Sequence, residues 1–161
     1  TAEHSWSVGM ITMVLMNELK KEFGAIDELK TLKLSLIHDV VEIYAGDVIA
    51  FDAEARKNKE KVEAEALTKL MAIYPEFGQQ LHDLWYEFED KKSLEAQIAK
   101  AADAICPIFQ RLQSNQSYIP FGITIAHLEK TKYPHFMFSK TFTTLDQRLK
   151  TDLLEKKLIE A

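Results

Sequence analysis

Apolar residues recur at three- and four-residue intervals from one end of this chain to the other, and only five glycines and four prolines interrupt them. That period is the turn of an α-helix, whereas strand-like alternation is nowhere sustained. The pattern predicts an all-α fold. A first helix is expected from about Ala2 to Phe23, stopped by Gly24, with His4, Val8, Ile11, Leu15 and Leu19 along one face. A second is expected over Asp27 to Ala45, ended by Gly46. A charged third covers Ala53 to Ile73, and Pro75 opens a fourth bearing Leu81, Leu84, Trp85 and Phe88. Ser93 is a fitting N-cap for a fifth, which continues past Asp103 to Gln113. The pattern weakens from Ser114 to Pro134, and a last amphipathic helix is expected over Thr141 to Ile159. With no repeat, low-complexity tract or dividing linker, the 161 residues are expected to form one domain, 1–113 as the motif-bearing core and 114–161 as a helical extension.

The second helix sets a problem in electrostatics. Leu29, Leu32, Leu36, Val40 and Ile43 make one apolar face, and Leu34, Ile37, Val41 and Tyr44 widen it almost all the way round, as befits a central, buried helix. The narrow strip left over is Ser35, His38, Asp39 and Glu42. Burying an ionised carboxylate without compensation costs several kcal/mol or forces its protonation, and no Lys or Arg lies on that strip. A divalent cation is the economical remedy. Imidazole and carboxylate without thiolate suit manganese, cobalt, iron, zinc or magnesium better than a soft-ligand site would. Two adjacent ligands do not complete a coordination sphere, so others must come from elsewhere. His4 is in register with the apolar face of the first helix, and Asp103 stands in "KAADAICP" among Ala99, Ala102 and Cys106, where a lone carboxylate is out of place. Pro107 follows four residues later, so its ring disturbs the Asp103 carbonyl and a kink is expected there. His4, His38, Asp39 and Asp103 together form a mixed donor set with room for water and substrate.

At this point the chain resembles a known family. The segments "AEHSW", "LIHDVVEIYAGD", "LWYEFED" and "AKAAD" are similar to the HD-domain metal-dependent phosphohydrolases, and most narrowly to the small HD-domain 5'-deoxynucleotidases, which act on deoxyribonucleoside 5'-monophosphates. The resemblance runs from Thr1 to about Arg111. It rests on an ordered set: a histidine, then His-Asp with Glu four and Asp nine positions beyond that histidine, then a late Asp in an Ala-rich helix. What it implies is an HD-type helical bundle with His4, His38, Asp39 and Asp103 as ligands of a divalent metal ion (Mn, Co, Mg, Zn or Fe) and Glu42 and Asp47 as catalytic carboxylates. It also implies a homodimer. The family's Arg-Trp pair precedes the first histidine, at a position upstream of Thr1.

The activity implied is removal of the 5'-phosphate from (deoxy)ribonucleoside monophosphates, with Glu42 orienting the attacking water and Asp47 protonating the leaving sugar oxygen. One alternative is an alarmone hydrolase, whose members follow the His-Asp pair with adjacent Glu-Asp, whereas Ile43 follows Glu42 here. Another is a catalytically inactive, metal-binding regulatory module, against which the presence of both Glu42 and Asp47 speaks.

Bulk properties narrow the partners. Net charge is -5 with acids and bases interspersed, so there is no basic footprint for a nucleic acid polymer, though a single metal-held nucleotide needs none. No apolar run approaches the roughly 18 residues of a membrane span. Cys106 is the only cysteine, which excludes an internal disulfide and a Cys-based zinc cluster and fits a reducing cytoplasm. A small nucleotide and a second copy of the chain are the expected partners, with Phe121, Phe136, Phe138 and Phe142 as candidates for apolar surface. His82 is expected in solvent, His127 and His135 away from the site, and "ARKNKEKVEAEALTK" as a solvated helix face with i,i+4 pairs.

Overall fold

Local capping chemistry accounts for the helix boundaries in the computed structural model, which describes residues 2–46 and 59–161. Helix α1 (Ala2–Phe23) has Glu3 in its first turn and Lys20 and Lys21 in its last, each complementing the helix dipole, and Gly24 ends it at φ 84°. Helix α2 (Glu28–Ile37) starts where the Asp27 carboxylate accepts the Lys30 backbone N–H at 2.9 Å. The expected run to Ala45 is broken in two. After Ile37 the chain tightens into i→i+3 bonds, Val40 N–H to the Ile37 carbonyl (2.9 Å) and Glu42 N–H to that of Asp39 (3.0 Å), before the short helix α3 (Glu42–Ala45).

Helix α4 spans Lys59–Ile73, and the expected start at Ala53 lies outside the described residues. Pro75 occupies the first turn of α5 (Pro75–Asp90), and Ser93 caps α6 (Leu94–Gln113) by accepting the Ala96 N–H. Helix α6 continues through Pro107. The weakly patterned segment folds as a 3₁₀ turn (Ile119–Phe121), helix α7 (Ile125–Thr131) and a second 3₁₀ turn (Tyr133–His135). Helix α8 (Lys140–Glu155) stops short of Ile159 because Lys157 turns left-handed at φ 55°, which sends Leu158 and Ile159 back into the core.

Helix α6 carries the most deeply buried run, with Ile98, Ala99, Ala101, Ala102, Ile105, Cys106 and Ile108 sealed from solvent. Its alanines let neighbouring backbones come close. One apolar cluster joins α1 and α6 to the C-terminal extension through Val8, Leu19, Phe136, Phe142 and Leu153. A second, Leu34, Leu84, Phe88, Ala96 and Ala99, lies between α2, α5 and α6. A third, Val41, Ala66, Leu67, Leu81 and Trp85, lies beneath the His38–Val41 turn. Gly78 closes the α4–α5 hairpin, since a Cβ there would sit 3.0 Å from the Met71 carbonyl oxygen.

Two surface expectations need correcting. The apolar coat of the second helix is covered on one side only: Thr31, Leu34 and Ser35 are buried, while Leu29, Leu36, Ile43 and Tyr44 remain exposed. Phe136 and Phe142 are core residues rather than surface ones, because the two 3₁₀ turns fold the extension back on α1 and α6; Phe121 is exposed. The larger exposed apolar surface is instead on α1, where Trp6, Met10 and Val14 with Phe109 of α6 line a groove of about 690 Å³. No helix among the described residues is long and apolar enough to cross a membrane.

Candidate metal centre

Buried hydroxyls prepare the end of α2. Ser35 is fully buried, donates to the Thr31 carbonyl at 2.9 Å and lies 2.9 Å from the Thr12 hydroxyl of α1, a polar tie that sets α1 against α2. Because α2 ends at Ile37, the His38 ring folds back and its Nδ1–H donates to the Ser35 carbonyl at 2.8 Å. A carbonyl only accepts, so the proton of the neutral imidazole is fixed on Nδ1 and Nε2 keeps its lone pair. That nitrogen is buried and has no hydrogen-bond partner among the described residues.

What surrounds it is equally rich in lone pairs. His38 Nε2 lies 3.2 Å from Asp39 Oδ1 and 3.7 Å from Asp103 Oδ1. His4 Nε2 lies 3.0 Å from the same Asp103 oxygen and 3.8 Å from Asp39 Oδ2, and the two imidazoles meet edge-on at 5.3 Å. Ligand atoms of His4, His38 and Asp39 fall within 4.8 Å of one another. An unprotonated nitrogen facing carboxylate oxygens is unfavourable unless a cation sits among them. Two imidazole nitrogens and two carboxylates, with no thiolate, match a hard or borderline divalent ion and leave coordination positions for water and substrate. The four residues singled out in the sequence as ligands are brought together from α1, the end of α2, the turn after it, and α6.

Charge is distributed unevenly around this group. The hydrogen bond to Asp103, with a further contribution from Cys106, raises the His4 imidazole to about 10. Burial pushes the Asp103 carboxyl up, but His4, Lys100 and His38 outweigh it and hold the group well below the usual carboxylate range. Lys100, one turn before Asp103, puts its ammonium 2.8 Å from Asp103 Oδ2 and 5.0 Å above the Phe88 ring, which itself packs 5.2 Å from His38. Sequence reasoning sought a base on the second helix and missed this one on α6. The i,i+3 spacing of Lys100 and Asp103 carried the signal. Glu63 of α4 is pushed up by burial, with Glu89 and Asp39 adding to it, so that helix's charged face is only partly in solvent.

Glu42 opens α3 four residues after His38 and is half-buried. Asp47 lies outside the described residues. His82 is half-buried, with Nδ1 3.0 Å from Asp83 Oδ1, and His127 caps α7 by accepting the Thr124 N–H at 3.3 Å. His135 is half-buried in the second 3₁₀ turn.

Residues 1–141 match the HD domain family. Among curated relatives, the 5'-deoxynucleotidase HDDC2 of Dictyostelium discoideum is 33% identical over 112 residues, covering 68% of this chain and 59% of that protein. The 5'-deoxynucleotidase VV1113 of Vibrio vulnificus (strain YJ016) is 32% identical over 117 residues, covering 70% and 60%. The chain thus spans about 60% of the length of these relatives. Among solved structures, that of a predicted metal-dependent phosphohydrolase from Magnetospirillum magnetotacticum MS-1 aligns with a TM-score of 0.84 and 26% identity, over 99% of this chain and 80% of that one. A family match that takes in α1 through the start of α8, and every one of the four converging side chains, makes this chain a member of the HD domain family.

Proposed function

We infer that this chain is a metal-dependent phosphohydrolase that removes the 5'-phosphate from (deoxy)ribonucleoside monophosphates. The observation that carries this reading is the buried Nε2 of His38, without a hydrogen-bond partner among the described residues and held among His4, Asp39 and Asp103. His4, His38, Asp39 and Asp103 would hold a divalent ion, which would supply charge compensation at phosphorus and a lowered pKa of water. The Ser35 carbonyl fixes the His38 tautomer, and Phe88 holds its ring in place. Glu42 orients the attacking water, and Asp47, which follows Gly46 in the chain, gives a proton to the leaving sugar oxygen. The deoxynucleotidase names of the relatives support the substrate class.

The reading extends to the rest of the molecule. The chain acts as a single HD domain, supported by the apolar cluster that unites α1 and α6 with the extension. A buried free thiol at Cys106 supports residence in the cytoplasm. The exposed apolar groove of α1 and α6 supports a homodimer.

The test is phosphate release from a panel of deoxyribo- and ribonucleoside 5'-monophosphates and a guanosine tetraphosphate alarmone, with manganese, cobalt or magnesium. Release from the deoxynucleoside monophosphates that a chelator abolishes is expected. Release from the alarmone alone, or from nothing while the metal stays bound, would overturn the assignment in favour of an alarmone hydrolase or a regulatory module.

A further inference from the structure

A cavity of about 350 Å³ lies between α6 and the C-terminal extension, lined by Gln97, Lys100, Pro134, His135, Met137 and Phe138, with Lys91 completing it. Lys100 ties it to the metal centre, because the ammonium of the same side chain lies 2.8 Å from Asp103 Oδ2. The two places are thus no more than one lysine side chain apart. A nucleoside monophosphate has the same layout, with one pentose between its phosphorus and its base.

The lining is part apolar and part polar. Pro134, Met137 and Phe138 supply the apolar part, and the Phe138 ring is held by stacking on Phe23, with 5.8 Å between centroids. A fixed ring and a soft thioether suit a flat π-system better than an aliphatic chain. On the polar side, Gln97 donates an Nε2–H to the Lys91 carbonyl at 3.2 Å. A carbonyl only accepts, which orients the carboxamide and leaves Oε1 without a hydrogen bond among the described residues. The His135 ring is likewise without one. Burial pushes this imidazole down, with Lys100, Lys91 and Lys132 adding to it, so it is neutral at pH 7 and offers one donor and one acceptor. No carboxylate lines the cavity to attract a cation, and Lys100 is already matched by Asp103. What fits is a neutral, flat guest with donors and acceptors along its edge, and a nucleobase is that guest.

We propose that this cavity receives the base of the nucleotide, with Gln97 and His135 meeting its polar edge and Met137 and Phe138 its face. The proposal rests on the phosphohydrolase reading for its substrate. It gives the extension the task of holding that substrate's base.

Steady-state kinetics of the manganese-loaded full chain compare 2'-deoxyadenosine 5'-monophosphate with 2-deoxyribose 5-phosphate, which has the same phosphate ester and no base. Without the base, KM should rise by about 10- to 100-fold. His135→Ala, and Gln97→Met, which keeps the side chain's bulk, should each raise the nucleotide KM about 3- to 10-fold and leave kcat within about twofold. Neither should change the KM of the sugar phosphate, and metal content by elemental analysis should equal that of the unmodified chain. Binding of free 2'-deoxyadenosine, followed by saturation-transfer NMR, gives a readout without turnover. Its base protons should receive more saturation than its sugar protons, and its affinity should fall by the same factor in His135→Ala.

Equal KM for nucleotide and sugar phosphate, a nucleotide KM that neither variant changes, equal slowing of both substrates by the variants, or no binding of the nucleoside would each overturn the base pocket. Nucleoside binding that His135→Ala weakens, in a protein that releases no phosphate from any nucleotide, would leave the pocket standing and remove the phosphohydrolase reading. Should Gln97→Met not melt cooperatively, His135→Ala decides alone.

Discussion

A backbone carbonyl decides which nitrogen of His38 can bind an ion, so this residue is held ready by a group that no side-chain substitution removes. Its own replacement is another matter. His38→Ala or Asp39→Ala leaves too few donors to retain an ion against water, so both variants are expected to lose metal on desalting, as read by elemental analysis. Full occupancy in either would take that residue out of the ligand set. Glu42→Ala separates holding from chemistry: metal and fold should persist while most phosphatase activity goes. Asp47→Asn should slow a deoxynucleotide, whose alkoxide leaves badly, by about 10²–10⁴-fold, and an aryl phosphate far less. Equal slowing of both substrates would assign Asp47 to water or substrate positioning instead.

The elements are held together by a few polar ties across large sequence distances. Glu22, in the last turn of α1, accepts from the Lys140 and Thr141 backbone N–H groups and from the Thr141 (2.7 Å) and Ser139 (3.0 Å) hydroxyls, and so covers the positive N-terminus of α8. Burial alone would raise its carboxyl, but Thr141, Lys140 and Ser139 together lower it below its ordinary 4.5. A folded-state value below the unfolded one gives stability that is present above about pH 4.5 and lost as pH falls through the folded value. Glu22→Gln should therefore melt lower than the unmodified chain at pH 7, by an amount of order 0.5–1 kcal/mol because the site is exposed. The gap should be smaller at pH 3, where more of the carboxyl is protonated. Melting curves at the two pH values read it directly, and a gap that stays constant would mean the charge of Glu22 contributes nothing.

For the whole molecule the exposed face of α1 is the feature to explain. Val14 is 73% and Trp6 67% exposed, beside a groove whose walls reach Leu145 and Leu149 of α8. A single chain gains nothing by leaving such a patch in water, and pairing two copies removes it on both. Light scattering should give twice the mass of one chain, and Val14→Lys should return a monomer that still melts cooperatively. A monomeric unmodified chain would exclude the homodimer.

Most helices were legible because their signals are local. Period, caps and breakers act within four or five residues, and Gly24, Asp27, Pro75 and Ser93 ended or began helices where their chemistry required. The convergence of His4, His38, Asp39 and Asp103 was legible for a related reason: each is a polar residue set in an otherwise apolar stretch, and such residues must find one another or a cation. The break after Ile37 was not legible, since apolar spacing continues unbroken to Ala45. There the buried Ser35–Thr12 tie, the His38 bond to the Ser35 carbonyl and the seating of Val41 among Leu67, Leu81 and Trp85 accompany the tight turn. Nor could period alone tell which side of α2 would be covered, or that His135 of the extension would line one cavity with Lys100, because a helical pattern says which residues share a face and nothing about what is packed against it. Sequence alone determined most of the helices and the chemistry of the four donors; the tertiary structure decided the turn at His38 and brought His4 and Asp103 against it, because those depend on contacts between residues tens of positions apart.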